Sequence, residues 1–465
     1  MPTAFGVADE LSCYYDAPGE PCNVHVEVRV AGHLDGQALR HATAAALAAQ
    51  PRAMVRLARG GWWQRFAWEV PGQPDCEPLT TVAWADEGEL TQARARFLAA
   101  APPLRSSPPL RLLLAAGPRE DRVILNAHHA ALDGISCLDL LRSIARHYPA
   151  GQHRSTPDGP VPTGRAAAPP AGRAAAPPAG RAAAPPAGRA AAPPAGGPAA
   201  AARPAVPPRL RGPRPAPAAR IAPDRAPGRA RDLAGYGFRL LPGRAVPAGA
   251  RDGRERAATV NDLLITALIV AIGRWNTAHG RPSGRIRITM PVSVRSPGEA
   301  PAAGNLSRLA AVSVPAPASG GDLGALVADV AAQTRAVKDR PGPQVDPVSM
   351  ALAAAWCPPA VKRRLLRLAL HTAGPWLCDT SLVSNLGVVA DPPRFGTAPS
   401  AGMWFSTSAH MPRGLSVGAV TAGGRLHLCL RYRRALFSEP AAGRFAGLYA
   451  AALTDLTTQG GDGDR

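Results

Sequence analysis

Residues 126–134 read Asn-Ala-His-His-Ala-Ala-Leu-Asp-Gly. His129 stands four residues before Asp133, and Gly134 follows directly. Imidazole is the side chain whose ordinary pKa lies nearest neutrality, so this spacing pairs a general base with a carboxylate one short turn away. The apolar run Val123-Ile124-Leu125 comes just before, and a helical pattern begins just after. A strand is therefore expected to deliver His129 to a sheet end. That constellation suits the deprotonation of a hydroxyl or an amine at neutral pH.

The elements that must hold it can be read from periodicity. Before residue 150 the patterns predict strands at His25–Val30, Trp62–Trp68, Leu79–Trp84, Leu110–Ala115 and Arg122–Ala127. Helices are expected at Asp35–Ala49 with Asp35 as N-cap, at Leu90–Ala100 and at Ile135–Tyr148. After residue 231 the pattern restarts. It predicts strands at Tyr236–Leu241, Arg285–Val294, Ala310–Val314, Leu382–Val389, Leu415–Thr421 and Leu426–Tyr432. Helices are expected at Thr259–Asn276 (capped near Thr259 or Asn261), Leu323–Lys338, Val348–Ala355, Ala360–His371 and Glu439–Leu456. This is α/β (α+β) mixing in two halves of similar size. The expected organisation is 1–150, a linker over 151–231, 232–458 and a flexible tail at 459–465.

The linker is low in complexity. Gly164 to Ala195 is four tandem copies of Gly-Arg-Ala-Ala-Ala-Pro-Pro-Ala. Paired prolines break helices and remove ladder donors, and the block has too little apolar surface to offset its ordering entropy. A disordered, partly polyproline-II segment is expected. It also explains much of the net charge of +20, because residues 151–230 hold 12 arginines against two aspartates. Lys338 and Lys362 are the only lysines, and aromatic residues make up 5% of the chain. Compositional bias accounts for the charge better than nucleic-acid binding does, so no specific nucleic-acid partner is expected.

Seven scattered cysteines without a CxxC pair argue against a disulfide framework or a zinc site, and a reducing cytoplasm is expected. The opening Met-Pro-Thr-Ala-Phe-Gly is unlike a secretory leader. The longest strongly apolar run, Leu263–Ile272, is too short to span a bilayer, so no transmembrane segment is expected. No glycine-rich phosphate loop opens a helix.

His128 through Gly134 resembles the HHxxxDG signature of the condensation-domain and acyltransferase superfamily. Other segments are similar to the family's landmarks: Pro108-Pro109-Leu110-Arg111-Leu112 upstream, and Val260-Asn261-Asp262-Leu263-Leu264 at the start of the second half. So are Met290-Pro291-Val292-Ser293-Val294-Arg295 with Gly304-Asn305, and Ser384-Asn385-Leu386-Gly387. The resemblance covers about 1–150 and 232–458. It implies two chloramphenicol-acetyltransferase-like halves forming a V around a central tunnel, with one active site per chain. It also implies that His129 is the catalytic histidine, as base or as positioning group, and that Asp133 pairs with Arg295. By the residues alone, Asp133 also reads as the cap of the following helix.

His128 is expected to pack against the sheet. Gly134 reads either as a plain turn glycine or as a point of close approach for a thioester arm. Asn305, Ser384 and Asn385 are candidates for the substrate site, although a strand-end turn accounts for the Ser-Asn pair equally well. Ser136 and Cys137 are read as helix residues, with Cys137 a buried thiol. Trp356, Trp376 and Trp404 are read as core residues by default, with a place on the tunnel wall as the alternative.

Two departures from the family, Gln50–Val55 and Gly304-Asn305-Leu306-Ser307, point away from peptide-bond-forming domains and towards standalone O- or N-acyltransferases. The expected activity moves an acyl group from a thioester, on coenzyme A or a phosphopantetheinyl carrier protein, to a small alcohol or amine. No metal and no tightly bound cofactor is expected. The rivals are a wax ester or diacylglycerol synthase, a catalytically silent carrier-protein-binding module, and a polyanion binder.

Overall fold

The computed structural model describes residues 2–61, 63–150, 217–224, 235–246, 258–281, 284–295, 304–317, 321–339 and 357–458. The described residues belong to one compact unit, and residues 159–215 lie outside them. Trp62, Trp356, the helix expected at Val348–Ala355, most of the expected linker and the tail at 459–465 also lie outside them.

In chain order the elements are β1 (Thr3–Ala4), α1 (Val7–Tyr15), β2 (Asn23–Ala31), α2 (Gly36–Ala49), β3 (Arg56–Leu57), β4 (Ala67–Glu69), β5 (Leu79–Ala83), α3 (Glu87–Phe97), β6 (Leu110–Ala116), β7 (Glu120–His128) and α4 (Gly134–His147). They continue with β8 (Tyr236–Ala245), α5 (Val260–Ala278), β9 (Arg285–Ser293), β10 (Ser307–Pro315), α6 (Leu323–Lys338), α7 (Pro359–Leu377), β11 (Ser381–Val389), β12 (Ser400–Thr407), β13 (Leu415–Ala422), β14 (Arg425–Arg433) and α8 (Glu439–Thr458).

Each half is built on its own sheet. The first has the strand order β12-β2-β7-β6-β5, and the second β10-β9-β11-β13-β14-β8. A small third sheet, β1-β4-β3, flanks the first. In β2, Val24, Val26, Val28 and Val30 point into a core closed by Leu39 and Leu47 of α2 and Leu140, Leu141 and Ile144 of α4. The second core packs Leu264–Ile272 and Trp275 of α5 against Phe445 and Tyr449 of α8 and the apolar face of the second sheet. Side-chain caps set the helix starts: Asp35 accepts the Ala38 amide at 2.6 Å, and Thr259 with Asp262 forms a capping box on α5.

Four differences from the sequence reading stand out. The strand expected over 62–68 is shorter and later, because the Gly60-Gly61 turn delays pairing until Ala67. Helix α1 was not anticipated, since its apolar positions are few and two acids, Asp9 and Glu10, are buried in it. The segment 217–224 lies inside the expected disordered linker but is packed. Ile221 and Ala222 are buried in the second core, and the Ala222 amide donates to Asn276 Oδ1 at 2.8 Å.

The fourth is β12, a strand of the second half that pairs antiparallel with β2 at the edge of the first sheet. It crosses β13 so closely that a Cβ on Gly418 would lie 1.9 Å from the Phe405 carbonyl oxygen. Its residues are nearly all buried, so it lacks the period-two alternation that marks a half-exposed strand.

Candidate active site

Strand β7 ends at His128, and the next three residues turn. The His129 amide donates to the Cys22 carbonyl at 2.9 Å. Its carbonyl accepts from Asn305 Nδ2 at 3.3 Å. The backbone of His129 is thus held from both halves of the chain.

The ring is half-buried and lines a cavity of about 230 Å³. The walls come from α1, β7–α4, β9, β10, β11, β12 and the loop after β12. Nδ1 of His129 is buried without a partner on another residue. Burial pushes the imidazole pKa below its usual value, and the carboxylate of Asp133 and the residue's own backbone carbonyl act in the opposite sense. The balance favours the neutral imidazole, the form able to accept a proton.

Asp133 fulfils both roles left open by the sequence. It caps α4, with Oδ1 accepting the Ser136 amide at 2.9 Å. It also accepts a two-pronged pair from Arg295, at 2.8 Å to Oδ2 and 2.9 Å to Oδ1. The Leu306 amide adds a third donor at 3.1 Å. Burial alone would raise this carboxyl, but the Arg295 and backbone hydrogen bonds outweigh it and hold the pKa below the ordinary value. Asp133 is thus spoken for, and its geometry is that of a clamp.

Ser136 belongs to the same clamp, which the sequence reading did not foresee. Its Oγ accepts from Arg295 at 3.0 Å and from the Gly304 amide at 3.1 Å, and it lies 3.0 Å from the Gly304 carbonyl.

His128 is buried. Its Nδ1 accepts the Ala130 amide at 3.1 Å, and Nε2 faces Asp16 at 3.8 Å. Cys137 is fully buried in α4, and burial raises its thiol well above the usual range.

Gly134 is the first residue of α4 and lines the cavity. A Cβ there would lie 2.7 Å from Phe405 and from Leu386, so the missing side chain also makes room for these two residues of the second half.

Ser384 and Asn385 both line the cavity, on β11 where its pairing with β13 becomes irregular. Asn385 Oδ1 accepts the Gly387 amide at 2.9 Å, so the side chain is fixed in a turn while facing the site. Trp404 is buried and donates to the Leu241 carbonyl at 2.9 Å. Trp376 is not a core residue: half of its surface is exposed, because it follows the kink at Ala373 near the end of α7.

Two site residues carried no sequence signal. His410 lines the cavity, and its Nε2 lies 3.1 Å from the Glu20 carbonyl. Burial, together with the Arg431 and Arg413 cations, pushes its pKa down to about 3. Arg431 is fully buried and donates to the Asn23 carbonyl at 3.0 Å, and its guanidinium lies 4.1 Å from the Tyr236 ring centroid. Its charge also disfavours a proton on His129. Neither residue sits in a local motif; the chain brings both in from beyond residue 400.

Among the described residues, no group of three or more His, Cys, Asp or Glu is placed to hold a metal ion. Among the same residues, no helix is long and apolar enough to cross a membrane.

The fold that holds this site is shared with solved structures. The starter condensation domain of rhizomide synthetase RzmA, in complex with C8-CoA and Leu-SNAC, superposes with a TM-score of 0.60 at 13% identity, over 97% of this chain and 94% of that one. The wax ester synthase/diacylglycerol acyltransferase of Marinobacter aquaeolei VT8 gives 0.59 at 14% identity, over 99% and 100%. The condensation domain of the monacolin K polyketide synthase MokA gives 0.58 at 13%, over 98% and 97%. The chain therefore has the chloramphenicol-acetyltransferase-like fold shared by condensation domains and this class of acyltransferase.

No protein-family model matches the sequence. Two relatives from Mycobacterium tuberculosis, "Uncharacterized protein MT2362" of strain CDC 1551 and "Uncharacterized protein Rv2305" of strain H37Rv, are each 30% identical over 449 residues, 93% of this chain and 94% of theirs. The chain belongs to the family of these mycobacterial proteins.

Proposed function

We propose that this protein is an acyltransferase with His129 as its base. It takes an acyl group from a thioester, on coenzyme A or a phosphopantetheinyl carrier, and passes it to an alcohol or amine. In the step proposed, a ring nitrogen of His129 accepts the proton of the acceptor hydroxyl or amine. The freed oxygen or nitrogen attacks the thioester carbonyl. The tetrahedral adduct collapses, the C–S bond breaks, and the departing thiolate takes the proton from the imidazolium. Asn305, Ser384 and Asn385, which line the cavity, supply polar groups that would receive the adduct's oxyanion. Asp133 and Arg295 hold the loop and do not exchange protons.

The observation that carries this reading is a half-buried imidazole, its Nδ1 without a partner on another residue, on the wall of a cavity to which both halves of the chain contribute. Much of the lining is apolar, including Leu11, Leu309, Leu382, Leu386, Phe405 and Met411. That lining favours an acyl or acceptor chain of hydrocarbon character, and keeps wax ester or diacylglycerol synthesis as the second reading.

Purified His129→Ala is expected to lose at least about 10²-fold in turnover across a panel of acyl-thioester donors and acceptors, with its melting temperature nearly unchanged. Wild-type rates in that folded variant would sink the proposal.

A further inference from the structure

Helix α7 presents an apolar stripe to solvent. Val361, Leu365 and Leu368 recur at intervals of four and three residues along one side, and Leu365 and Leu368 are 57% and 59% exposed. Trp376 and Leu377 extend the apolar surface past the kink, at 50% and 43%. The opposite side is where the helix meets the protein: Leu366 packs against Tyr14, and Lys362 pairs with Glu10 at 2.9 Å.

The charges on α7 are all of one sign. It carries Lys362, Arg363, Arg364 and Arg367 and no acidic residue. Lys362 is buried against Glu10, and Arg363 donates to the Asp16 carbonyl at 2.6 Å. Arg364 and Arg367 are exposed beside the stripe.

Large exposed apolar side chains in a row, rimmed by arginines and ending in a tryptophan, form the pattern of a helix that lies in a lipid–water interface. The stripe also leads to the cavity. Cys378, directly after α7, lines it, as does Met411, which is itself 40% exposed.

We propose that the α7 face docks on an anionic phospholipid surface, so that the cavity receives its hydrocarbon-bearing substrate from the bilayer. The lipid surface is favoured because the exposed charges on α7 are uniformly basic and because the helix ends directly before a residue of the cavity wall. The second clause rests on the acyl-transfer reading, whereas the docking itself does not.

The test is co-sedimentation of the full chain with vesicles of pure phosphatidylcholine and with vesicles containing phosphatidylglycerol. Binding is expected to be at least tenfold tighter to the anionic vesicles and to weaken as salt is raised. Leu365→Glu combined with Leu368→Glu should reduce vesicle binding at least tenfold while leaving turnover of short-chain, water-soluble substrates unchanged. Arg364→Glu combined with Arg367→Glu should remove the preference for anionic lipid.

Equal binding to both vesicle types, or undiminished binding by the leucine variant, would overturn the proposal. So would a self-associating chain made monomeric by that variant, or capture of an acidic carrier protein without any vesicle binding. Vesicle binding that survives in His129→Ala separates a failure of this inference from a failure of the acyl-transfer reading.

Discussion

At the scale of single residues the site is a division of labour between two neighbours in sequence. His129 faces the cavity with its basicity kept low by burial, whereas Asp133 spends both carboxylate oxygens on Arg295 and backbone amides. Removing Asp133 would strand the Arg295 guanidinium and uncap α4. Asp133→Ala is therefore expected to cost about 3–5 kcal/mol, far more than His129→Ala. Urea unfolding of Asp133→Ala, Arg295→Ala and the double variant should give a coupling energy of about 0.5–3 kcal/mol. A coupling near zero would remove the clamp from the account.

The histidines also predict how stability responds to acid. His410, pushed down to about 3, is neutral when folded but titrates at its ordinary value of 6.5 when unfolded. Between those values the unfolded chain binds more protons, so stability is full above pH 6.5 and falls as pH is lowered towards 3. His129 and His25 are shifted in the same direction by burial. Each such group contributes a slope of up to about 1.4 kcal/mol per pH unit. Unfolding midpoints at pH 7 and pH 5 should differ accordingly, and His410→Gln should flatten the dependence.

Among the elements, β12 is the one that joins the halves. It leaves the second half and adds to the edge of the first sheet, in continuous register with β2 from Val24 to Arg29. Phe405 on β12 reaches the missing side chain of Gly134, and its carbonyl oxygen abuts Gly418 on β13. Gly418→Ala would drive a methyl group into backbone and is expected to be poorly folded or destabilised by more than about 3 kcal/mol. Gly134→Ala meets side chains that can shift, and should cost about 1–3 kcal/mol. Thermal melts of the two variants check the order. A milder effect at Gly418 would mean that the strand crossing is looser than described. The α4 start, by contrast, was readable locally, because Asp133 is followed at the right distance by the amide it caps.

For the whole molecule, the two cores and the cavity are assembled among the described residues from elements on either side of the four Pro-Pro repeats. Deleting 164–195 shortens the connection between the halves by about half, a change worth only about 0.6 kcal/mol in closure entropy. The deleted chain should keep its melting temperature within a few degrees and its turnover within about twofold, while losing part of any salt-sensitive binding to polyanions. A collapse of either property would show that the repeats contribute to the fold.

The chemistry-bearing motif, the strand–turn–helix that carries it, the two-half organisation and most helices and strands were written in local pattern: alternating valines, a capping aspartate, a Thr-x-x-Asp box. These are read over a few residues, and the physics that enforces them acts over the same distance. What lay beyond local pattern depends on residues hundreds of positions apart meeting in space. The pairing of Asp133 with Arg295 was suggested by resemblance, but the part of Ser136 in that clamp was not. Neither was the entry of β12 into the other sheet, nor the presence of His410 on the cavity wall, nor the burial of Arg431. Burial on both faces erases the periodicity that would have announced β12, and a charge buried without an acidic partner leaves no mark on the sequence around it.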